Sequence, residues 1–159
     1  MKISILCVGK IKESFYRQAI DEYAKRLSKY CKFEVVEVTD EKTPDTASAA
    51  QVDQIKEKEA NRLLEKIKED AYVFTLEIKG KRFTSESFSE CINKVTIQGN
   101  SHLVFIIGGS LGLHEKVLKR SNQAISFSDM TFPHQLMRVI FMEQLYRCFT
   151  IIYNKGYHK

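Results

Sequence analysis

No apolar run in this 159-residue chain approaches the roughly 20 residues that a bilayer-spanning helix needs. Proline occurs only twice, and no repeat, linker or low-complexity stretch interrupts the sequence. One continuous domain over residues 1–159 is therefore expected. The four cysteines, Cys7, Cys31, Cys91 and Cys148, form no CxxC pair, and no histidine stands at ligand spacing from them. This argues against a structural metal and against a disulfide framework. Cys7 and Cys148 sit in apolar sequence, where a free cysteine behaves as a small hydrophobe. Met1 to Gly9 has neither an apolar core of signal-peptide length nor a small-residue cleavage site. A cytoplasmic protein is expected, with no membrane partner.

What is present is a globular composition, 43% hydrophobic and 28% charged, with an uneven charge distribution. Residues 1–32 hold eight Lys/Arg against three Asp/Glu; residues 33–78 hold six against twelve; residues 79–159 hold eleven against five. The ends are basic and the middle acidic. If the ends meet in space they form a positive surface suited to a polyanion; the plainer reading is that Lys12, Arg17, Lys25, Arg26 and Lys29 solvate one side of a helix.

Hydrophobic periodicity alternates between strand and helix along the whole chain. Strands are predicted at 2–8, 33–38, 71–78, 103–107 and 124–128, with Lys79-Gly80-Lys81 ending the third. Helices are predicted over about 13–29, 48–69, from Thr84 or Ser85 onward, after Gly112, and over 134–150. Thr39–Gln51 reads as a mobile loop. This order predicts an α/β fold with a mainly parallel sheet and helices on both faces, 71–78 and 103–108 lying nearest its centre.

Two strand-to-helix turns carry the chemistry. Gly108-Gly109-Ser110-Leu111-Gly112 offers backbone N–H groups with no Cβ in the way, but matches neither GxGxxG nor GxxxxGK[ST]. Asp129-Met130-Thr131-Phe132 precedes Pro133, which fits the first turn of a helix. Together with the end of strand 71–78, these turns give three loops at one edge of the sheet, where α/β proteins bind small ligands. The helix from His134 is apolar nearly all round, so both its faces need cover. A second subunit or a central place in a monomer core would each supply it. Arg138 lies one turn after His134 and is a candidate to face the crevice. Glu143 and Arg147 read as an intrahelical ion pair, and His102 and His114 as ordinary surface residues. The tail from Tyr153 to Lys159 combines aromatic and basic groups suited to stacking on bases.

The stretches Phe105–Leu113, Ser126–His134, Arg138 through Glu143-Gln144-Leu145-Tyr146-Arg147, and Asn154–His158 together resemble the ribosomal RNA large subunit methyltransferase H family, small SPOUT-class enzymes. The resemblance spans the chain. It implies a SPOUT-type fold with a C-terminal trefoil knot and S-adenosylmethionine as methyl donor. It implies cofactor contacts at Leu76, Gly108, Phe127, Ser128, Asp129, Met130, Thr131 and Phe132. It further implies a homodimer that methylates N3 of a pseudouridine in 23S ribosomal RNA within the ribosome. In that reaction Arg138 would stabilise developing charge, and Tyr157 and His158 would position the substrate or move its proton. Two alternatives stand beside it: a non-enzymatic ribosome- or RNA-binding protein, and a methyltransferase acting on tRNA.

Overall fold

The computed structural model describes residues 1–159. Strands β1 (Lys2–Val8), β2 (Lys32–Val38), β3 (Tyr72–Arg82), β4 (His102–Ile107) and β5 (Gln123–Ser126) form one sheet in the order β2-β1-β4-β3-β5. Every pairing is parallel. Five helices connect and close it: α1 (Ser14–Leu27), α2 (Ala49–Leu64), α3 (Ser85–Ile97), α4 (Glu115–Arg120) and α5 (His134–Ile152). A parallel pair cannot be joined by a tight turn, so each strand is followed by a helix that carries the chain back.

The period-2 alternation of the strands sorts their side chains between two cores. Ile3, Ile5, Cys7, Leu103, Phe105 and Ile107 join the larger core with α1, α3 and α5. Leu6, Val8, Val104 and Ile106 join the smaller one with α2 and α4. Strand β4 is central and buried at every residue, as its unbroken apolar run requires. On the larger face Phe105 stacks on Phe74, with centroids 4.8 Å apart, and tilts against Phe141 of α5 at 4.7 Å. Helix α5 lies between α1 and α3. Its residues Phe141, Met142, Leu145, Cys148 and Phe149 are buried, whereas Leu136, Val139 and Ile140 are only half-buried.

Two sequence expectations change. Strand β3 does not stop at Lys79-Gly80-Lys81 but continues to Arg82, because its pairing with β5 resumes after an excursion: Leu76 and Lys81 both stand opposite Ile125. Gly80 permits this, since a Cβ there would sit 2.6 Å from the Ile125 backbone. Helix α2 ends at Leu64, five residues before the predicted end, and Ile67 packs on the smaller core from the following turn. Where the chain leaves β2, Arg62 donates to the Thr39 carbonyl at 2.8 Å and pairs with Glu41.

Arg138 makes the longest-range polar contacts of the fold. Its Nη2 donates to the carbonyls of Val8 (2.9 Å) and Gly9 (2.7 Å), and its Nη1 to Glu37 at 3.0 Å. The carboxyl end of β1 emerges beneath α5, and without this guanidinium its last carbonyls would be buried with no donor. Arg138→Met keeps much of the volume but strips all three acceptors. A loss of about 3 kcal/mol is expected, read as a lower urea midpoint at unchanged m-value.

Candidate functional site

At the carboxyl edge of β3, β4 and β5 the three loops enclose a crevice of about 550 Å³. Its floor is the strand ends, Leu76, Ile107 and Ile125. One wall is Gly108–Leu113, pinched by a bridge between Gly109 and Gly112 in which Gly112 N–H donates to the Gly109 carbonyl at 3.1 Å. A Cβ on Gly108 would lie 3.1 Å from the Gly112 carbonyl carbon and from the Leu113 side chain. A side chain at Gly108 would crowd these groups, so this position offers its backbone to a ligand instead. The opposite wall is Phe127, Ser128, Met130, Thr131 and Phe132, with Met130 75% exposed at the mouth. The third wall is the β3 excursion, Glu77, Ile78 and Lys79.

The charges in the crevice are few. Partial burial raises the Glu77 carboxyl above its usual range, against the opposing pull of Lys56 and Lys79. His134, at the start of α5, is pushed down by burial and by the neighbouring Arg138 charge, so it stays neutral at physiological pH. No three His, Cys, Asp or Glu side chains gather to hold a metal. Burial drives the Cys7 and Cys148 thiols up to about 12, so neither supplies a thiolate nucleophile.

Of the residues singled out from sequence, Leu76, Gly108, Phe127, Ser128, Met130, Thr131 and Phe132 line this one crevice. Asp129 does not; it turns outward and pairs with Arg82. Arg138 does not face the crevice either, because its guanidinium is 1% exposed and committed to β1 and Glu37. His102 is buried and bonded to Ser4 at 2.9 Å, and His114 caps α4, so neither is an idle surface group. Glu77, Ile78 and Lys79 belong to the third loop expected at the end of strand 71–78, whereas Met137 lines the crevice unannounced by sequence. The helical period alone gave Met137 no direction.

The tail is ordered along α5 and α3. Tyr157 Oη donates to Glu143 Oε1 at 3.1 Å, and its ring packs edge-on to Tyr146 and beneath the Arg147 guanidinium. His158 bridges Arg147 (3.2 Å from Nδ1) and Glu86 (2.8 Å from Nε2). That contact holds the Glu86 carboxyl down to about 2. Arg147 is 13 residues after His134, roughly 20 Å along the helix. Within one chain the tail and the crevice are thus separate. Burial and the Glu143 charge push the Tyr157 phenol up to about 12, so it is a hydrogen-bond donor at neutral pH. Its contribution to stability is complete below the ordinary tyrosine range near 10 and disappears as pH rises through about 12. Ultraviolet titration of Tyr157→Phe against the parent protein is expected to remove an ionisation step near pH 12; loss of a step near 10 would contradict the docked tail.

A crevice bounded by backbone-rich loops at the end of a parallel sheet suits many small ligands, and comparison with known proteins narrows the choice. The family model described as "Predicted SPOUT methyltransferase" matches residues 1–158. Proteins named ribosomal RNA large subunit methyltransferase H from Clostridium botulinum strains Okra and Kyoto are 58% and 57% identical over 159 residues, covering all of both chains. One named ribosomal RNA large subunit methyltransferase H 1, from Clostridium perfringens strain SM101, is 53% identical over the same span. Shared length, order and sequence of this extent leave one assignment: the chain belongs to the SPOUT methyltransferase family.

Proposed function

We propose that this protein methylates N3 of a pseudouridine in 23S ribosomal RNA, using S-adenosylmethionine and working as a cytoplasmic homodimer on the assembled ribosome. The observation that carries the reading is the convergence of Leu76, Gly108 and the 127–132 loop on one 550 Å³ crevice. The chemistry of its lining fits the methyl donor. Leu76, Leu111, Leu113 and Ile125 give apolar walls for a purine, and the backbone of the two loops supplies hydrogen-bonding groups for its edge. Glu77 and Lys79 offer opposite charges for the ammonium and carboxylate of an amino-acid moiety. When bound, S-adenosylmethionine supplies an electrophilic methyl group on a sulfonium.

The protein's task is then to aim the acceptor nitrogen and to take its proton. Positioning accounts for much of the acceleration in such a transfer. Tyr157 keeps its proton and, exchanging Glu143 for the base, orients it by donation, while His158, released from Glu86, or a water held by it accepts the N3 proton. Arg138, locked on β1, acts as a positioning residue that fixes the first turns of α5 beside the crevice. The separation of tail and crevice favours two subunits: a two-fold partner meeting α5 at Leu136, Val139 and Ile140 would bring its own Tyr157 and His158 toward the methyl group. The basic N- and C-terminal segments suit an RNA substrate.

The test is methyl transfer from labelled S-adenosylmethionine to 70S ribosomes, free large-subunit RNA and tRNA from a strain lacking the gene, with the modified base mapped. Transfer to one pseudouridine on ribosomes is expected. Gly108→Val is expected to abolish donor binding, and His158→Ala to keep donor binding while lowering kcat by about 10²–10⁴-fold. Mixing the two inactive variants is expected to restore part of the activity through mixed dimers. Transfer to tRNA alone would move the substrate, and absence of both transfer and donor binding would favour a pure RNA-binding protein.

A further inference from the structure

A second cavity, of about 380 Å³, lies between the start of α3, the middle of α5 and the end of β5. Ile125 and Phe127 line both it and the crevice, so the two spaces share a wall. Along α5, Met137 lines the crevice, Ile140 and Gln144 line the second cavity, and Arg147 belongs to the tail network. These residues are three or four apart and share one helix face, so the second cavity fills the interval between crevice and tail. Ile140 also lies on the face of α5 that a partner subunit would meet.

The lining has two characters. Phe83, Phe88 and Phe127 supply aromatic surface, with Phe88 edge-on to the other two at 6.2 and 6.5 Å. Across from them the polar groups form a chain with a fixed direction. Gln144 Nε2 donates to Glu143 Oε2 at 2.8 Å, and a carboxylate can only accept, which settles which end of the amide is nitrogen. Gln144 Oε1 therefore turns to Ser85, whose Oγ donates to it at 2.7 Å. The Ser85 proton is spent in that bond. What Ser85 Oγ and Gln144 Oε1 still offer are lone pairs, an acceptor edge waiting for a ligand N–H. The tail is anchored to the same chain, because Tyr157 Oη donates to Glu143 Oε1 at 3.1 Å. His158 reaches Glu86, the residue after Ser85, at 2.8 Å.

Aromatic walls suit the face of one unpaired base, and an acceptor edge suits a base with a ring N–H to give. Pseudouridine differs from uridine in having a second ring N–H, at N1, besides the N3 that receives the methyl group. N1 and N3 lie on different edges of the ring, so holding the first leaves the second free for transfer. We infer that this cavity seats the acceptor base and that Gln144, oriented by Glu143 and Ser85, selects pseudouridine by accepting its N1–H. The inference rests on the methyltransferase reading and adds to it the group that tells the substrate from its unmodified isomer. Uridine in the same place would set a C–H against the Gln144 oxygen and leave it without a partner.

The test uses ribosomes from a strain lacking the gene, prepared with either pseudouridine or uridine at the target position. The parent protein is expected to favour pseudouridine by about 10- to 100-fold in kcat/KM. Gln144→Met, similar in length but without the amide, is expected to bring that ratio to within about threefold, with donor affinity by calorimetry and dimer mass by sedimentation unchanged. Ser85→Ala, a smaller change, is expected to lower the ratio by about three- to tenfold. A merely structural role for Gln144 would depress both substrates equally and keep the ratio. An unchanged ratio in both variants would overturn the assignment while leaving the methylation reading intact. Dissociation of Gln144→Met into monomers would overturn it too, showing that the cavity is a socket for the partner subunit. A parent protein that methylates neither kind of ribosome would sink the methylation reading and this inference with it.

Discussion

One buried cation organises the active half of this molecule. Arg138 ties α5 to the carboxyl end of β1, and α5 in turn carries His134 and Met137 into the crevice at one end and the tail at the other. Its energetic status is asymmetric. Placing a guanidinium at 1% exposure costs desolvation that the contacts to Glu37 and two carbonyls offset only when all are made. Its Nε finds no partner, so even the intact arrangement is not fully satisfied. Two of its three acceptors are main-chain carbonyls that no substitution removes, so an apolar residue in its place would leave them unpaired.

The polar architecture around α5 extends the same logic outward. Glu143 accepts from both Arg147 and Tyr157, Arg147 reaches His158, and His158 reaches Glu86 on α3. A tail of seven residues would normally fray. Here it is held by a chain of charge-assisted bonds that crosses from one helix to another. The crevice is built differently, from glycine backbone and apolar strand ends with few charges. The protein thus pairs an apolar crevice with a charged, hydrogen-bonded tail.

The sequence carried the architecture well and the directions of individual side chains poorly. The apolar runs at 103–107 and 2–8 place β4 and β1 almost to the residue, because burial on both faces leaves a pattern that survives without tertiary information. The glycine turn and the loop after Ser126 were legible as ligand loops because positions lacking a Cβ, or preceding a helix start, have local causes. Arg138 was not legible. Residues four apart share a helix face, but whether that face looks into a crevice or across to β1 depends on how α5 crosses the sheet. The β3 excursion was hidden for a related reason: Lys79-Gly80-Lys81 has the composition of a turn, and only the approach of the Ile125 backbone to Gly80 turns it into a resumed strand.

The Arg138 contacts span sequence separations of 129 and 130 residues in a chain of 159. During synthesis the two carbonyls appear among the first residues and their donor among the last. Strand β1 must therefore wait, incompletely satisfied, until nearly the whole chain has emerged, and parallel pairing of such distant segments is slow. His134 and the Tyr157–His158 tail arrive in that same final stretch. A nascent fragment thus has neither a finished crevice nor a docked tail, and both are completed by the same closing stretch of chain.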